Sequence, residues 1–198
     1  LKNTMIDSMH NGYGTELSDI LTTLEMQTAI DPPILIKWFW DIFIVDALIG
    51  NWDRHNGNWG FLYNNATDEI KLAPVYDCGS CLFPQASEEI MKNTLEDPEE
   101  RNLRVFEIPL SGIKINGKKI RYFDFISSLQ NTDCNQALKR ILARIDLIKI
   151  NKIIDETPFI SDLQKTFYKT ILKERKEHIL NFSYEKLCKS KSSLSNEN

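Results

Sequence analysis

The chain lacks a long apolar segment that is free of charge. Its longest apolar run, ILIKWFWDIFIVDALIG, is interrupted by Lys37, Asp41 and Asp46, whereas a transmembrane helix needs about 20 consecutive, mostly apolar residues. No signal peptide precedes this run, and the chain opens on Leu1 instead of Met. We therefore expect no membrane association and interpret the chain as a fragment of a longer protein.

The chain also lacks a strong bias of charge. It has 24 Lys and Arg residues against 28 Asp and Glu residues, for a formal net charge of −4, and the basic residues are spread along its length. Direct binding to nucleic acid or to an anionic membrane depends on a clustered basic surface. Neither nucleic acid nor an anionic membrane is therefore predicted as a partner. From its length, the chain should form one domain.

Cysteine is scarce, and its arrangement predicts no disulfide framework. Two of the four cysteines, Cys78 and Cys81, form the motif CGSC. Such a C-x-x-C motif can be a redox pair or half of a zinc site. Because the sequence has no second C-x-x-C and no nearby His to complete a metal shell, a plain turn is favoured. This cysteine usage is typical of the reducing cytoplasm, where we expect the protein.

Hydrophobic periodicity predicts a mainly α fold with small β-hairpins, an α+β architecture. A first helix begins at Leu17, and a second runs from Pro32 to Ile49 with Asp31 as its N-cap. The second helix is apolar on nearly every side, which indicates a central position in the core. The segments WGFLY and IKLAPVYD, separated by the turn residues NNATDE, predict a hairpin.

The second half of the chain should form another hairpin and then long helices. The pair Asn116-Gly117 between GIKI and KKIRYF indicates the hairpin turn. Amphipathic helices are predicted from about Asp133 to Glu156 and from about Ser161 to Lys189. Residues 190–198 are poor in apolar side chains and predict a disordered tail, so the folded domain is predicted to span residues 1–189.

The loop GNWDRHNGNWGF contains more polar residues than a simple connection needs. Asp53 and Asn58 lie in it, and Asp77 is predicted to end the second strand of the hairpin, in LAPVYDCGS. A hairpin brings its end back beside its start, so we expect the three side chains to converge. Their oxygens suit Mg²⁺, and a carboxylate that binds no metal can deprotonate a hydroxyl. The alternative is a polar network that only pins the loop to the hairpin.

The spacing of these residues resembles a known family. An Asp, an Asn five residues later, a hairpin and a further Asp form the catalytic-loop and metal-loop arrangement of protein-kinase-like phosphotransferases. ALIGNWDRHNGNWGFL and LAPVYDCGSCL together are similar to the C-terminal domain of HipA-like serine/threonine kinases. The family loop N-x-D-x-H-x-x-N is matched by Asn51, Asp53, His55 and Asn58. Its L-A-P-x-Y-D segment is matched by residues 72–77.

The resemblance implies a role for each matched residue and a kinase-like C-terminal lobe as the fold. Asp53 would be the catalytic base, and His55 would order the two loops. Asn58 and Asp77 would hold Mg²⁺ on the phosphates of ATP, so ATP and Mg²⁺ are the implied cofactors.

The chain also departs from the family pattern. Gly57 stands where HipA-like proteins often have a Lys, and Arg54 is the loop residue that could supply the missing positive charge. A kinase further needs a small lobe with a phosphate-covering loop and a Lys. The GYG at Gly12 to Gly14 is a weak nucleotide motif that favours a turn. We expect the small lobe upstream of residue 1 and the chain alone to be inactive.

Three functions remain open at this point. The first is a bacterial, cytoplasmic HipA-like kinase of protein hydroxyls, the toxin of a toxin–antitoxin pair, with an antitoxin or DNA-binding partner protein. The second is a lipid or small-molecule kinase, because DRHNGN also resembles the catalytic loop of phosphoinositide kinases. The third is a non-catalytic pseudokinase module. The polar segment from Pro84 to Arg101 is the expected site of substrate selection.

Overall fold

The computed structural model describes residues 14–195, and side chains as far as residue 190. Gly12 and Tyr13 of the GYG motif lie outside this part of the chain. Its helices, numbered along the chain, are α1 (Leu17–Met26), α2 (Pro32–Ile49), α3 (Glu88–Glu96), α4 (Pro98–Asn102), α5 (Tyr122–Ser128), α6 (Thr132–Leu142), α7 (Leu147–Glu156), α8 (Asp162–Arg175) and α9 (Phe182–Ser195). Its strands are β1 (Phe61–Asn64), β2 (Glu69–Leu72), β3 (Lys114–Ile115) and β4 (Lys118–Lys119).

Helix α2 forms the centre of the core. Its first turn contains two prolines, which cost nothing there because the first amides of a helix lack helical partners. Trp40 is fully buried and stacks on Phe125 of α5, with 5.6 Å between the ring centroids. The side chain of the predicted N-cap, Asp31, makes no capping bond; its carbonyl instead accepts the amides of Ile34 and Leu35.

The first predicted hairpin is present and follows the loop after α2. Gly50 ends α2 in the left-handed conformation, with φ 67°, which Gly adopts at least cost. Strands β1 and β2 are antiparallel, with Phe61 opposite Leu72. Trp38 of α2 meets Trp59 edge to face at 5.6 Å, so helix and hairpin pack together on either side of the loop.

The second predicted hairpin is also present, between β3 and β4. Asn116 and Gly117 have φ values of 51° and 76°, the combination that a tight two-residue hairpin turn requires. The Glu16 carboxylate accepts both of their amides, at 2.6 and 3.0 Å.

The predicted mainly α architecture with small hairpins is therefore confirmed. Within residues 14–195, no helix has both the length and the apolar character that a membrane crossing requires.

The C-terminal helices differ from the prediction in two ways. The stretch predicted as one helix from 133 to 156 is divided into α6 and α7, because the Asp146 side chain accepts two amides and begins a new helix. The next helix begins where predicted, with a capping box at Ser161. It passes through a π-helical turn at Lys176–Asn181 and continues as α9 to Ser195, although a disordered tail is predicted from residue 190.

Candidate active site

Buried polar groups anchor the loop that follows α2. Asn51 is fully buried; its Nδ2 donates to Oδ1 of Asp46 at 3.0 Å, and its Oδ1 accepts the amide of Asp53 at 3.1 Å. The Tyr122 hydroxyl donates to the Asn51 carbonyl at 2.6 Å. Since buried polar groups without partners are costly, these bonds fix the main chain at Asp53 from α2 and from α5.

Arg54 joins this loop to the segment that carries Asp77. Its buried guanidinium makes a bidentate ion pair with Asp46, with N–O distances of 2.8 and 2.9 Å. Nη1 also donates to the carbonyls of Asn58 and Tyr76, at 2.5 and 3.0 Å. Burial disfavours the charged form, but the bonds and charge of Asp46 outweigh it and raise the pKa of Arg54. The charge therefore faces the interior and not a transferred phosphoryl group.

Asp53 and His55 lie on the solvent side of the same loop, with side chains 45% and 40% exposed. Nδ1 of His55 accepts the amide of Gly57 at 3.0 Å, so the neutral ring carries its proton on Nε2, 4.0 Å from Oδ2 of Asp53. The Asp53 main chain is bonded on both sides, by the side chains of Asn51 and Asn58. A fixed main chain below an exposed carboxylate suits a group that accepts a proton from a bound hydroxyl.

Asn58, a predicted metal ligand, is buried beside Asp53. Its Nδ2 donates to the Asp53 carbonyl at 2.8 Å, and its own amide donates to the His55 carbonyl at 2.9 Å. Because the nitrogen of the carboxamide is bonded in this way, Oδ1 remains as the group that can bind a cation.

Asp77, the other predicted ligand, does not end a strand as predicted. Strand β2 ends at Leu72, and the exposed Asp77 follows five residues later in the left-handed conformation, with φ 53°. The neighbouring Tyr76 is bonded to the loop twice: its carbonyl accepts from Arg54, and its hydroxyl donates to the Gly57 carbonyl at 3.0 Å. The segment that carries Asp77 is thus attached to the loop that carries Asn58.

Whether these residues fit a metal ion depends on the other ligands that the ion would have. Among residues 14–195, no group of three or more His, Cys, Asp or Glu is arranged to hold a metal ion. Asn58 and Asp77 would contribute one carboxamide oxygen and one carboxylate. This donor set fits Mg²⁺, which usually keeps waters and binds substrate phosphates. The convergence of Asp53, Asn58 and Asp77 on one cation stays a prediction.

The CGSC motif forms the turn that the sequence favours. The amide of Cys81 donates to the Cys78 carbonyl at 3.1 Å, and both thiols are free. Burial and the neighbouring Cys78 raise the pKa of Cys81 to about 12. A thiol that stays protonated is a poor nucleophile, so the raised pKa of Cys81 opposes the redox interpretation.

Asp46 and Arg175 also support the loop and were not predicted from the sequence. Asp46 had a signal, because an acidic residue in an otherwise apolar helix needs a buried partner. Arg175 of α8 is 1% exposed and donates to the carbonyls of Ala47, Arg104 and Ile108; burial lowers the pKa of Arg175 to about 10. Nothing in the α8 sequence distinguishes Arg175 from a surface arginine.

Gly112 packs directly against the backbone of the loop. A Cβ at this position would lie 2.6 Å from the carbonyl oxygen and 2.8 Å from the amide nitrogen of Arg54. Backbone atoms cannot move aside as the end of a flexible side chain can. The approach therefore requires a residue without a Cβ.

Gly112→Ala is expected to lower the free energy of unfolding by about 1–3 kcal/mol, the usual cost of overpacking. Denaturant titration measures the change. Gly79→Ala is the matched control, because a Cβ there meets nothing within 4 Å, and it should change stability by about 0.5 kcal/mol at most. Equal effects of the two substitutions would contradict the close packing of Gly112 on the loop.

Comparisons with known proteins match the chain to a domain family and to a relative of known structure. Residues 3–153 match the family model of the HipA-like C-terminal domain. The serine/threonine-protein kinase CtkA of Helicobacter pylori is 46% identical over 185 residues, which are 93% of this chain and 57% of that protein. The crystal structure of a Helicobacter pylori proinflammatory kinase, CtkA, matches with a TM-score of 0.89 and 44% identity, covering 96% of this chain and 70% of that one.

The match to CtkA confirms a kinase-like C-terminal lobe as the fold. The chain spans little more than half the length of the curated relative. The family match covers the loop, the hairpin and the segment of Asp77 in one continuous stretch. This chain belongs to the family of HipA-like C-terminal domains.

Proposed function

We propose that the chain is the large lobe of a serine/threonine protein kinase that transfers the γ-phosphoryl group of ATP to a protein hydroxyl. One observation carries the proposal: the main chain of Asp53 is fixed by Asn51 and Asn58, while its carboxylate stays exposed beside His55. A network that only pinned the loop to the hairpin would use that carboxylate. The kinase name of the Helicobacter pylori relative supports the same reaction class.

Asp53 acts in this proposal on the substrate hydroxyl. The hydroxyl oxygen forms a bond to the γ-phosphorus, the bond to the departing ADP oxygen breaks, and the hydroxyl proton passes to the Asp53 carboxylate. His55 is a positioning residue, since Nε2 faces Asp53 while Nδ1 is bonded to Gly57.

Asn58 and Asp77 would hold Mg²⁺ on the phosphates of ATP. Mg²⁺ supplies neutralisation of the phosphate charge when it is bound. The chain itself would contribute two ligands. One is Oδ1 of Asn58, whose carboxamide is oriented by its bond to the Asp53 carbonyl, and the other is the exposed carboxylate of Asp77. Arg54 keeps the two segments together through the carbonyls of Asn58 and Tyr76.

A small lobe completes the site in this proposal, with residues 1–189 as the large lobe. Arg54 forms a buried ion pair with Asp46 and so does not reach the phosphates of ATP. Positive charge for these phosphates therefore has to come from outside the loop. A phosphate-covering loop and a Lys supply it in kinases. The relative has room for such a lobe, because this chain covers only 57% of its length. The chain alone should therefore bind Mg²⁺-ATP weakly.

We also propose a cytoplasmic location and a protein substrate. Free thiols in the described part of the chain support the location, and the name of the relative supports the substrate class. The family resemblance supports the further proposal of a toxin in a toxin–antitoxin pair, with an antitoxin or DNA-binding partner protein.

Mg²⁺-ATP should raise the thermal stability of the full-length protein, and Asp77→Asn should remove most of that gain. A ligand of the native state stabilises by RT ln(1 + [L]/Kd), about 2.7 kcal/mol at one hundred times Kd. Melting curves across an ATP titration with Mg²⁺ measure it. Asp133→Asn, at an exposed position in α6, is the control. An Asp77→Asn shift equal to that of wild type would contradict the metal-binding role.

A further inference from the structure

The second hairpin and its flank concentrate positive charge in an acidic chain. The segment KINGKKIR, residues 114–121 and here called the basic hairpin, has basic residues at four of its eight positions and no acidic residue. Arg121 pairs with Glu107 at 2.8 Å and with Asp124 at 3.6 Å. Lys118 and Lys119 are exposed, and within residues 14–190 neither is paired with a carboxylate. The spread of Lys and Arg over the whole chain hides this local excess.

The basic hairpin lies beside the loop of Asp53. Nζ of Lys119 is 5.9 Å from the ring centroid of Trp52, a cation–π contact, and Trp52 directly precedes Asp53. The segment that enters the hairpin packs on the loop backbone at Gly112. A ligand on the basic hairpin would therefore be next to the proposed catalytic base.

The basic hairpin is held in place and borders a cleft. Glu16 accepts both amides at its turn, which fixes the tip. A cleft of about 530 Å³ opens beside it, lined among others by Lys119, Phe125 and Ser128. Within residues 14–195, the outer edge of β4 has no strand partner, and such an edge can pair with an extended peptide.

We propose that the basic hairpin binds an acidic, extended segment of the protein substrate and presents a neighbouring Ser or Thr hydroxyl to Asp53; this inference rests on the proposed kinase function. Lysines without carboxylate partners complement the charge of an acidic peptide, and the unpaired strand edge beside them can hydrogen-bond to its backbone. The region from Pro84 to Arg101, where the sequence placed substrate selection, contains several glutamates that would repel such a segment.

An acidic peptide fits this surface better than a nucleic acid does. Binding to a phosphate backbone uses a basic face or stripe that neutralises several phosphates. Here the exposed ammonium groups of Lys118 and Lys119 occupy one short strand of a chain with a net charge of −4.

Fluorescence anisotropy with a labelled peptide tests the inference on the full-length protein. The peptide contains one Ser flanked by Glu and Asp residues, and its counterpart has Lys at the flanking positions. We expect preference for the acidic peptide and weaker binding at higher salt. Lys118→Glu with Lys119→Glu should weaken binding about tenfold or more. Lys149→Glu with Lys152→Glu, the same charge change on exposed lysines of α7, should leave the affinity unchanged.

Each other result decides against the inference or against the kinase proposal. Equal affinities of the two double variants, or no binding of the acidic peptide to wild type, would overturn the docking role. Tighter binding of a single-stranded oligonucleotide, lost in the hairpin variant, would assign the surface to nucleic acid instead. The binding assay contains no ATP and is therefore independent of catalysis. If the acidic peptide binds through the hairpin but wild type transfers no phosphate in a separate assay with ATP, the kinase proposal alone would be overturned.

Discussion

Asp53→Asn should reduce phosphoryl transfer by the full-length protein about 100- to 10,000-fold, the usual contribution of a general base, while the affinity for Mg²⁺-ATP stays near that of wild type. A carboxamide cannot accept the hydroxyl proton. The bonds from Asn51 and Asn58 reach the main chain of residue 53 and not its side chain, so the loop should keep its shape.

Transfer of labelled phosphate from ATP to the protein itself or to a cytosolic protein measures the first effect, and thermal stability with ATP measures the second. Asp77→Asn, in contrast, should reduce both phosphoryl transfer and the affinity for Mg²⁺-ATP. Asp133→Asn again serves as the control. Wild-type turnover in Asp53→Asn would exclude Asp53 as the base, and label found only in an inositol-lipid extract would favour the lipid-kinase alternative.

Arg54→Met should lower the free energy of unfolding by about 3–5 kcal/mol, because it leaves Asp46 buried without its partner. The carbonyls of Asn58 and Tyr76 lose their donor at the same time. This large effect is expected although Arg54 touches no substrate in the proposed mechanism.

Denaturant titration measures the loss. Arg121→Met is the matched control, since Arg121 is 48% exposed in its ion pair with Glu107, and exposed pairs contribute about 1 kcal/mol or less. Combining Arg54→Met with Asp46→Asn should cost less than the sum of the two single changes, as expected for groups in contact. An Arg54→Met variant as stable as Arg121→Met would show that the buried pair does not hold the loop.

The residues of the loop and hairpin could be recognised from sequence because their signals are local. Asn116-Gly117 specifies its own turn, and the spacing of Asp53, Asn58 and Asp77 is a motif. Asp146 was missed, although an Asp before an apolar run is a helix-start signal, because the periodicity on either side of it continues.

The support beneath the site could not be predicted, because it joins residues far apart in the chain. Tyr122 reaches Asn51 and Gly112 reaches Arg54 only once the helices have packed. The direction of the Arg54 side chain has the same origin. Its partners combine a helix residue, a loop carbonyl and the segment beyond the hairpin, and no single stretch of sequence contains all three.

Arg175 has a consequence for where the domain ends. The family match stops at residue 153, yet this arginine of α8 donates to the Ala47 carbonyl in the last turn of α2 and to the Ile108 carbonyl. Removing it would leave the buried Ala47 carbonyl without this donor just before the loop. The stretch that the family model matches is therefore shorter than the cooperative folding unit, and a boundary drawn at residue 153 would cut through that unit.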